Sequence, residues 1–432
     1  MSLFGGTFFG VLILNNFSPI DTLQSLYFLF ISLVTQSWIL KTFGFAILVG
    51  SIMALIEESG GIRGFIEYLQ EKKGLVKSER SALLLSYIVG VVIFIESSIT
   101  SLISGAVGKP FCHQYKIPQA KLAFVCDSTA APISSLIALN GWGALLLGLI
   151  TTQVTEGLLK YESLSLLVSA LLYNFYAMSA LLVTFLFIWF KIDIGPMKYA
   201  KYNFVAYNGA QTQKNASSLF MLLPIVLMVV LAFVFLYISG DGDILKGSGS
   251  SAIFYTMLTT LAFIFFYYTF SKNMSIKKWS KTSFFGAKKL FPIAMILLFA
   301  FSIGEVTSQL KTGLYLASLA NESLSPYLLG AVIFLLSSLI SFATGTSWGT
   351  FSIMIPVAVP MAVGMDADIA LCLGAVISGG VFGDHCSPIS DTTIISAMAA
   401  ECEVIEHVKT QLPYALISGG IALVLFLFFG IF

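Results

Sequence analysis

Residues 382–391 read FGDHCSPISD: two acids, a histidine, a cysteine, two serines and a proline in ten positions, with apolar sequence on both sides. The surroundings decide what such a stretch means. Of the 432 residues, 57% are hydrophobic, 10% are charged and 38 are phenylalanine, and mean hydropathy is +0.91. Apolar runs of about 17–25 residues recur from end to end, the length a helix needs to cross a hydrocarbon layer about 30 Å thick. Runs such as LLPIVLMVVLAFVFLYI (222–238) are continuously apolar, which excludes the alternating strands of a membrane barrel. The fold class is therefore an all-α polytopic membrane protein, and FGDHCSPISD reads as a polar interruption at membrane depth. Exposed to lipid it would be prohibitively costly, so it must face protein or a wet cavity.

The net charge of +1 points to neither nucleic acid nor an acidic ligand, and lipid is the evident surrounding. Five cysteines, Cys112, Cys126, Cys372, Cys386 and Cys402, are odd in number and mostly set in apolar sequence, which suits free thiols better than a disulfide framework. No basic stretch precedes the first apolar run, so that run reads as a retained helix.

Lysine and arginine cluster at Lys72–Arg80, Lys191–Lys214 and Lys272–Lys289, which the positive-inside rule places in the cytoplasm. Two spans, 218–240 and 251–271, connect the second and third clusters through an outside loop, GDGDILKGSGS. Between Arg80 and the cytoplasmic trio Lys109, Lys116 and Lys121 there are only about 30 residues, too few for two crossings. That segment, 80–111, should be a re-entrant hairpin with its turn at ESSITS and Glu96 near mid-membrane. The next segment, 118–150, crosses outward with an interruption at CDSTAAP, where Pro132 is expected to break the helix beside Asp127. A helix over 163–190 returns inside.

The second half repeats this order in the opposite sense. A helix over 290–308 leads outward, a hairpin over 326–363 turns at ATGTSWGT, and a segment over 367–403 is broken at GDHCSP. APISS (131–135) and SPISD (387–391) echo each other, each following an aspartate by a few residues. The pattern predicts two inverted repeats, 1–190 and 218–432, joined by a cytoplasmic linker over 191–217, each repeat holding a re-entrant hairpin and a broken helix, as in many secondary transporters. The two breaks are expected to face each other across a pseudo-two-fold axis.

Four polar sites result. They supply Glu96, Ser97, Ser98 and Thr100; Asp127, Ser128 and Thr129; Thr344, Thr346 and Ser347; and Asp384, Ser387, Ser390, Asp391, Thr392 and Thr393. Carboxylates, hydroxyls and freed backbone carbonyls are the ligands a hard cation such as sodium takes. Asp384, Asp127 and Glu96 are the candidates for exchanging a proton against that ion, with His385 a structural or proton-sensing residue. A simpler role for Asp127 and Asp384, capping half-helix N-termini, stands beside that one. His385 and Cys386 diverge by about 100° on a helix and lack CxxC or HxxxH partners, so neither a transition-metal site nor a Cys-His nucleophile is expected, and no nucleophile elbow suggests an enzyme. Glu57 and Glu305 sit near helix ends, where a solvated acid is ordinary, and SGGIRGFIEYLQEKKG reads as an interfacial amphipathic helix.

FATGTSWGTFSIMIPVAVP, VFGDHCSPISDTT and EHVKTQLPYAL resemble the NhaC-type sodium/proton antiporters of the ion transporter superfamily, and the resemblance extends back through KLAFVCDSTAAP to cover most of the chain from about Ile52. It implies a bacterial or archaeal inner-membrane carrier that works by alternating access as a homodimer, moving hairpins and broken helices against a scaffold, with Na+ and H+ as its transported ions and no cofactor. Where such antiporters carry an Asp-Asp-Tyr-Ala-Asn-Thr run this chain has ESSITS, with Ser97 in place of the second acid and Thr100 in place of the amide. The family also includes malate/lactate exchangers and carriers similar to amino-acid transporters. An amino acid or small carboxylate, carried with sodium or protons, is therefore the alternative substrate.

Overall fold

A computed structural model describes the chain apart from residues 1, 72–75, 95–96, 138, 156, 160–161, 203–216, 245–246, 313–314, 317, 319–323 and 432. The described residues form helices and connecting turns. In chain order the helices are α1 Ser2–Leu14, α2 Pro19–Thr35, α3 Ser37–Glu58, α4 Gly61–Glu71, α5 Glu79–Val92, α6 Ser97–Tyr115, α7 Gln119–Leu136, α8 Gly141–Thr155, α9 Ser163–Leu172 and α10 Phe175–Phe190. They continue with α11 Leu219–Ser239, α12 Gly249–Phe270, α13 Ile276–Gln309, α14 Leu329–Thr344, α15 Ser347–Gly364, α16 Ile369–Cys386, α17 Asp391–Ala400 and α18 Val404–Phe429. Nine segments among the described residues are long and apolar enough to cross a membrane.

The 14 residues of α5 rise only about 21 Å, short of the hydrocarbon thickness. Its start also lies beside the start of α7: Lys121 Nζ is 3.0 Å from Glu79 and 2.9 Å from Asp193, and Lys191 is 3.5 Å from Glu79. Helices α5 and α6 therefore begin and end on one side, as the charge pattern predicts for a re-entrant hairpin. Glu79 is held below the ordinary glutamate range; burial pushes it up, but the Lys121 and Lys191 ammonium groups outweigh that push. On the same side Lys109, near the end of α6, meets Glu401 at the end of α17 at 3.0 Å.

Packing divides the helices into two groups. Helices α1–α3 and α11–α13 lie against one another, with α3 along α13 and α12. The hairpins α5–α6 and α14–α15, together with α7, α10 and α16–α18, form the other group, which meets the first through α4, α8 and α15. Within the second group the packing is reciprocal. Helix α8, which follows α7, lies on α15 of the second hairpin, and α17, which follows α16, lies on α6 of the first.

Glycine makes the closest of these approaches possible. A methyl group at Gly379 would sit 2.5 Å from the Phe334 carbonyl oxygen, and one at Gly383 would sit 2.5 Å from the Ser338 carbonyl oxygen. Four positions apart, the two glycines present one bare face of α16 to the α14 backbone.

Three expectations need correction. Pro132 does not break its helix: α7 continues to Leu136, one turn past the proline and about two and a half turns beyond Asp127, and the next helix starts at Gly141. Neighbouring helices surround α7 so completely that residues 119–135 are buried, and a proline in such a setting costs the Ser128 carbonyl its ladder partner without ending the helix. The helix expected over 163–190 is two helices, parted at Tyr173 and Asn174, because the Asn174 side chain caps α10 by accepting from the Ala177 N–H. The helix expected over 290–308 starts much earlier, at Ile276, and carries Lys277–Lys289 of the third cluster with it.

Candidate functional site

Asp127 stands in the middle of α7, fully buried. Its Oδ2 accepts from His407 Nε2 at 3.1 Å and from Gln411 Nε2 at 3.0 Å, two side chains one turn apart on α18. The Gln411 amide nitrogen also donates to the His385 carbonyl at 2.5 Å, so one side chain bridges α7 and the end of α16. The His385 ring completes the link. Its Nε2 lies 3.2 Å from the Ser128 hydroxyl and its Nδ1 lies 2.6 Å from the Tyr176 hydroxyl of α10.

Asp384, the residue before His385, sits in the last turn of α16. Ser347 donates to its Oδ2 at 2.8 Å and Ser390 to its Oδ1 at 2.6 Å. Ser347 is the first residue of α15 and Ser390 is the residue before α17, so this carboxylate pins the tip of the second hairpin to the helix break. Ser390 in turn lies 3.0 Å from the Thr392 hydroxyl. Neither aspartate caps a helix: Asp127 is mid-helix, and Asp384 receives hydroxyls rather than backbone N–H groups. The break between α7 and α8 is held by Asn140. Its amide donates to the carbonyls of Phe94 and Ser134 at 2.9 and 2.7 Å, and its oxygen accepts the Trp142 N–H at 2.9 Å.

One buried network, its two halves joined through the peptide link from Asp384 to His385, holds Asp127, Ser128, Asp384, His385, Ser347 and Ser390, and with them Tyr176, His407 and Gln411, which the sequence reading does not single out. Other candidates lie apart from it. Thr344 is exposed and bonds back to the Ile340 carbonyl, while Thr346 is exposed and caps α15 through the Gly349 N–H. Asp391 is exposed at the start of α17, where it accepts the Thr392 N–H at 2.9 Å. Ser387 is buried but donates to the Phe342 carbonyl at 2.9 Å. Thr129 donates to the Val125 carbonyl and packs at Gly90 of α5, and Thr100 donates to the Ile93 carbonyl at the first hairpin's tip. Ser97 is buried in the same hairpin. The hydroxyls of Thr344, Ser387, Thr129 and Thr100 are spent on backbone carbonyls, the usual local competition in helices. Glu96 lies outside the described residues.

His407 and Gln411 carry a signal that was available. In EHVKTQLPYAL they fall four residues apart inside a long apolar helix, so they share a face, and a paired polar face at membrane depth needs a partner. Tyr176 has no such signal; a tyrosine among apolar residues is ordinary packing.

The model of the Na+/H+ antiporter family matches residues 139–431. An uncharacterized protein of Haemophilus influenzae is 33% identical over 390 residues, covering 86% of this chain and 75% of that one. An uncharacterized Na(+)/H(+) antiporter of the same organism is 36% identical over 107 residues, 24% of this chain and 23% of its own length. Among solved structures, the YdaH transporter of Alcanivorax borkumensis, described as having an unusual topology, superposes with a TM-score of 0.63 at 15% identity, covering 94% of this chain and 88% of that one.

Proposed function

Because this chain belongs to the Na+/H+ antiporter family, a family of multi-pass membrane transporters, we propose that it exchanges sodium for protons by alternating access at the buried network joining Asp127 to Asp384. The carrying observation is the composition of that network. It offers two carboxylates with hydroxyl, amide and carbonyl oxygens, and among the described residues neither a lysine nor an arginine takes part. Lys121, the buried lysine among the described residues, is committed to Glu79 and Asp193 at the base of the first hairpin. Oxygen-rich, anionic and water-poor surroundings suit a hard monovalent cation as substrate.

The alternative, a small carboxylate or amino acid, draws support from the acid missing at Ser97. It needs a fixed positive charge or a helix N-terminus for the substrate carboxylate; the N-termini of α15 and α17 lie at Ser347 and Ser390, but both hydroxyls there are committed to the Asp384 carboxylate, which repels a second anion. The reciprocal packing of α8 on α15 and α17 on α6 supports two inverted repeats, 1–190 and 218–432, with the linker over 191–217 between them. Asp384 then ties hairpin to helix break, and the α1–α3 and α11–α13 group serves as the scaffold against which the rest moves. Proteoliposomes with an imposed pH gradient test the reading: sodium-dependent proton flux supports it, whereas flux that starts only on adding malate, lactate or an amino acid replaces it with the alternative.

A further inference from the structure

The two aspartates of the network differ in a way that assigns the ion to one of them. Both oxygens of Asp384 accept a hydroxyl hydrogen at ordinary distance. Asp127 uses only Oδ2, and its Oδ1 is buried with no hydrogen-bond partner. Gln411 Oε1 and His407 Nδ1 are likewise buried and unpartnered, on side chains with no exposure. Chemistry fixes how these groups are turned. The Gln411 amide stands between two acceptors, the Asp127 carboxylate and the His385 carbonyl, so the atom between them must be its NH2 and the free atom its oxygen. The His407 nitrogen beside the carboxylate must carry hydrogen, which leaves Nδ1 of the neutral ring as a lone pair.

All three unpartnered atoms are therefore acceptors, gathered on residues that already touch one another. A buried acceptor without a donor is costly, and three together call for a group that gives positive charge and needs no donor hydrogens. We propose that the transported cation binds at Asp127 Oδ1 and Gln411 Oε1, with Gln411 a ligand in its own right and Asp384 a clamp between the second hairpin and the helix break. This rests on the antiport reading and deepens it. His407 acts as a positioning residue: by donating to Oδ2 it turns Oδ1 toward the ion. The Ser128 carbonyl, left without an N–H by Pro132, is a neighbouring oxygen of the same kind.

Equilibrium binding of radioactive sodium to detergent-purified protein tests this, with choline chloride as the reference salt and the melting temperature in choline as the check on folding. Gln411→Ala is expected to raise the half-saturating sodium concentration by about tenfold or more, the loss of one charge–dipole contact. Asp127→Asn, an isosteric change that serves if Gln411→Ala fails to fold, should abolish saturable binding. Asp384→Asn should stop turnover yet bind sodium within about threefold of wild type, a difference under 1 kcal/mol. Normal binding by both Gln411→Ala and Asp127→Asn, or loss of binding in Asp384→Asn alone, overturns the assignment. Wild-type protein that shows sodium-driven proton flux while the Asp127 and Gln411 variants bind normally refutes this site and spares the antiport reading. Wild-type protein with neither flux nor sodium binding refutes both.

Discussion

Adding one methyl group at Gly383 should disable transport without touching a polar residue. The new carbon would lie 2.5 Å from the Ser338 carbonyl oxygen and 2.6 Å from Ser341 Cβ, against 3.4–4 Å for an ordinary contact. The carbonyl belongs to the α14 backbone and cannot rotate aside, so α14 must retreat by roughly 1 Å, at the upper end of the overpacking range, about 3 kcal/mol. The retreat carries through the turn to Ser347, whose hydroxyl stands 2.8 Å from Asp384. Lengthened by about 1 Å that bond is gone, and a hydrogen bond to a charged group contributes about 1.5–3 kcal/mol. Either figure alone lowers the population of the assembled site by about tenfold to a hundredfold. Gly420→Ala supplies the control, since a methyl group there meets nothing within 4 Å. Initial rates of sodium-driven proton flux in proteoliposomes, at matched protein density, measure the effect. Gly383→Ala with a rate within about twofold of Gly420→Ala would refute the idea that hairpin–break contact governs the site.

Further outcomes follow from the same contacts. Tyr176→Phe leaves His385 Nδ1 buried without its 2.6 Å partner and should lower melting temperature together with flux, by about 1–3 kcal/mol in stability, whereas Tyr173→Phe on the preceding turn should not. Asn140→Ala removes the cap of α8 and the tie to Phe94 and should destabilise by about 1–2 kcal/mol in thermal unfolding. Glu79 has its carboxylate favoured in the folded state, so its contribution is present across the neutral range and is lost only as pH falls through its depressed value. Glu79→Gln should therefore lower the melting temperature at neutral pH and converge with wild type in strong acid. On a Cys402→Ser background, thiols introduced at Lys198 and Lys281 should react with an impermeant reagent from the cytoplasmic side, and one at Asp241 from the outside.

Much of this architecture is legible in the sequence because charge and length leave few choices. Thirty residues between two basic clusters cannot cross twice, so the first hairpin follows, and ion pairs joining Glu79 to Lys121 and Lys109 to Glu401 place its ends as expected. Asp127 and Asp384 stand out as acids within apolar runs, and both enter the network. What sequence does not reveal is which hydroxyls are already spent. Thr344, Thr346, Thr129 and Ser387 have the same chemistry as Ser347, and only the direction each leaves its helix separates a backbone bond from an Asp384 contact. Pro132 misleads for a related reason: its effect depends on neighbours, and a fully surrounded α7 absorbs a missing N–H that would end a helix in water. The contribution of α18 lies some 280 positions from Asp127 in the chain and becomes visible only on folding.

The most direct measurement is coupled flux through Asp127→Asn and Asp384→Asn side by side with wild type, each reconstituted and driven by a sodium gradient. If the buried network is the exchange site, both substitutions abolish sodium-dependent proton movement while wild type sustains it. Full coupled flux in either variant would contradict the account.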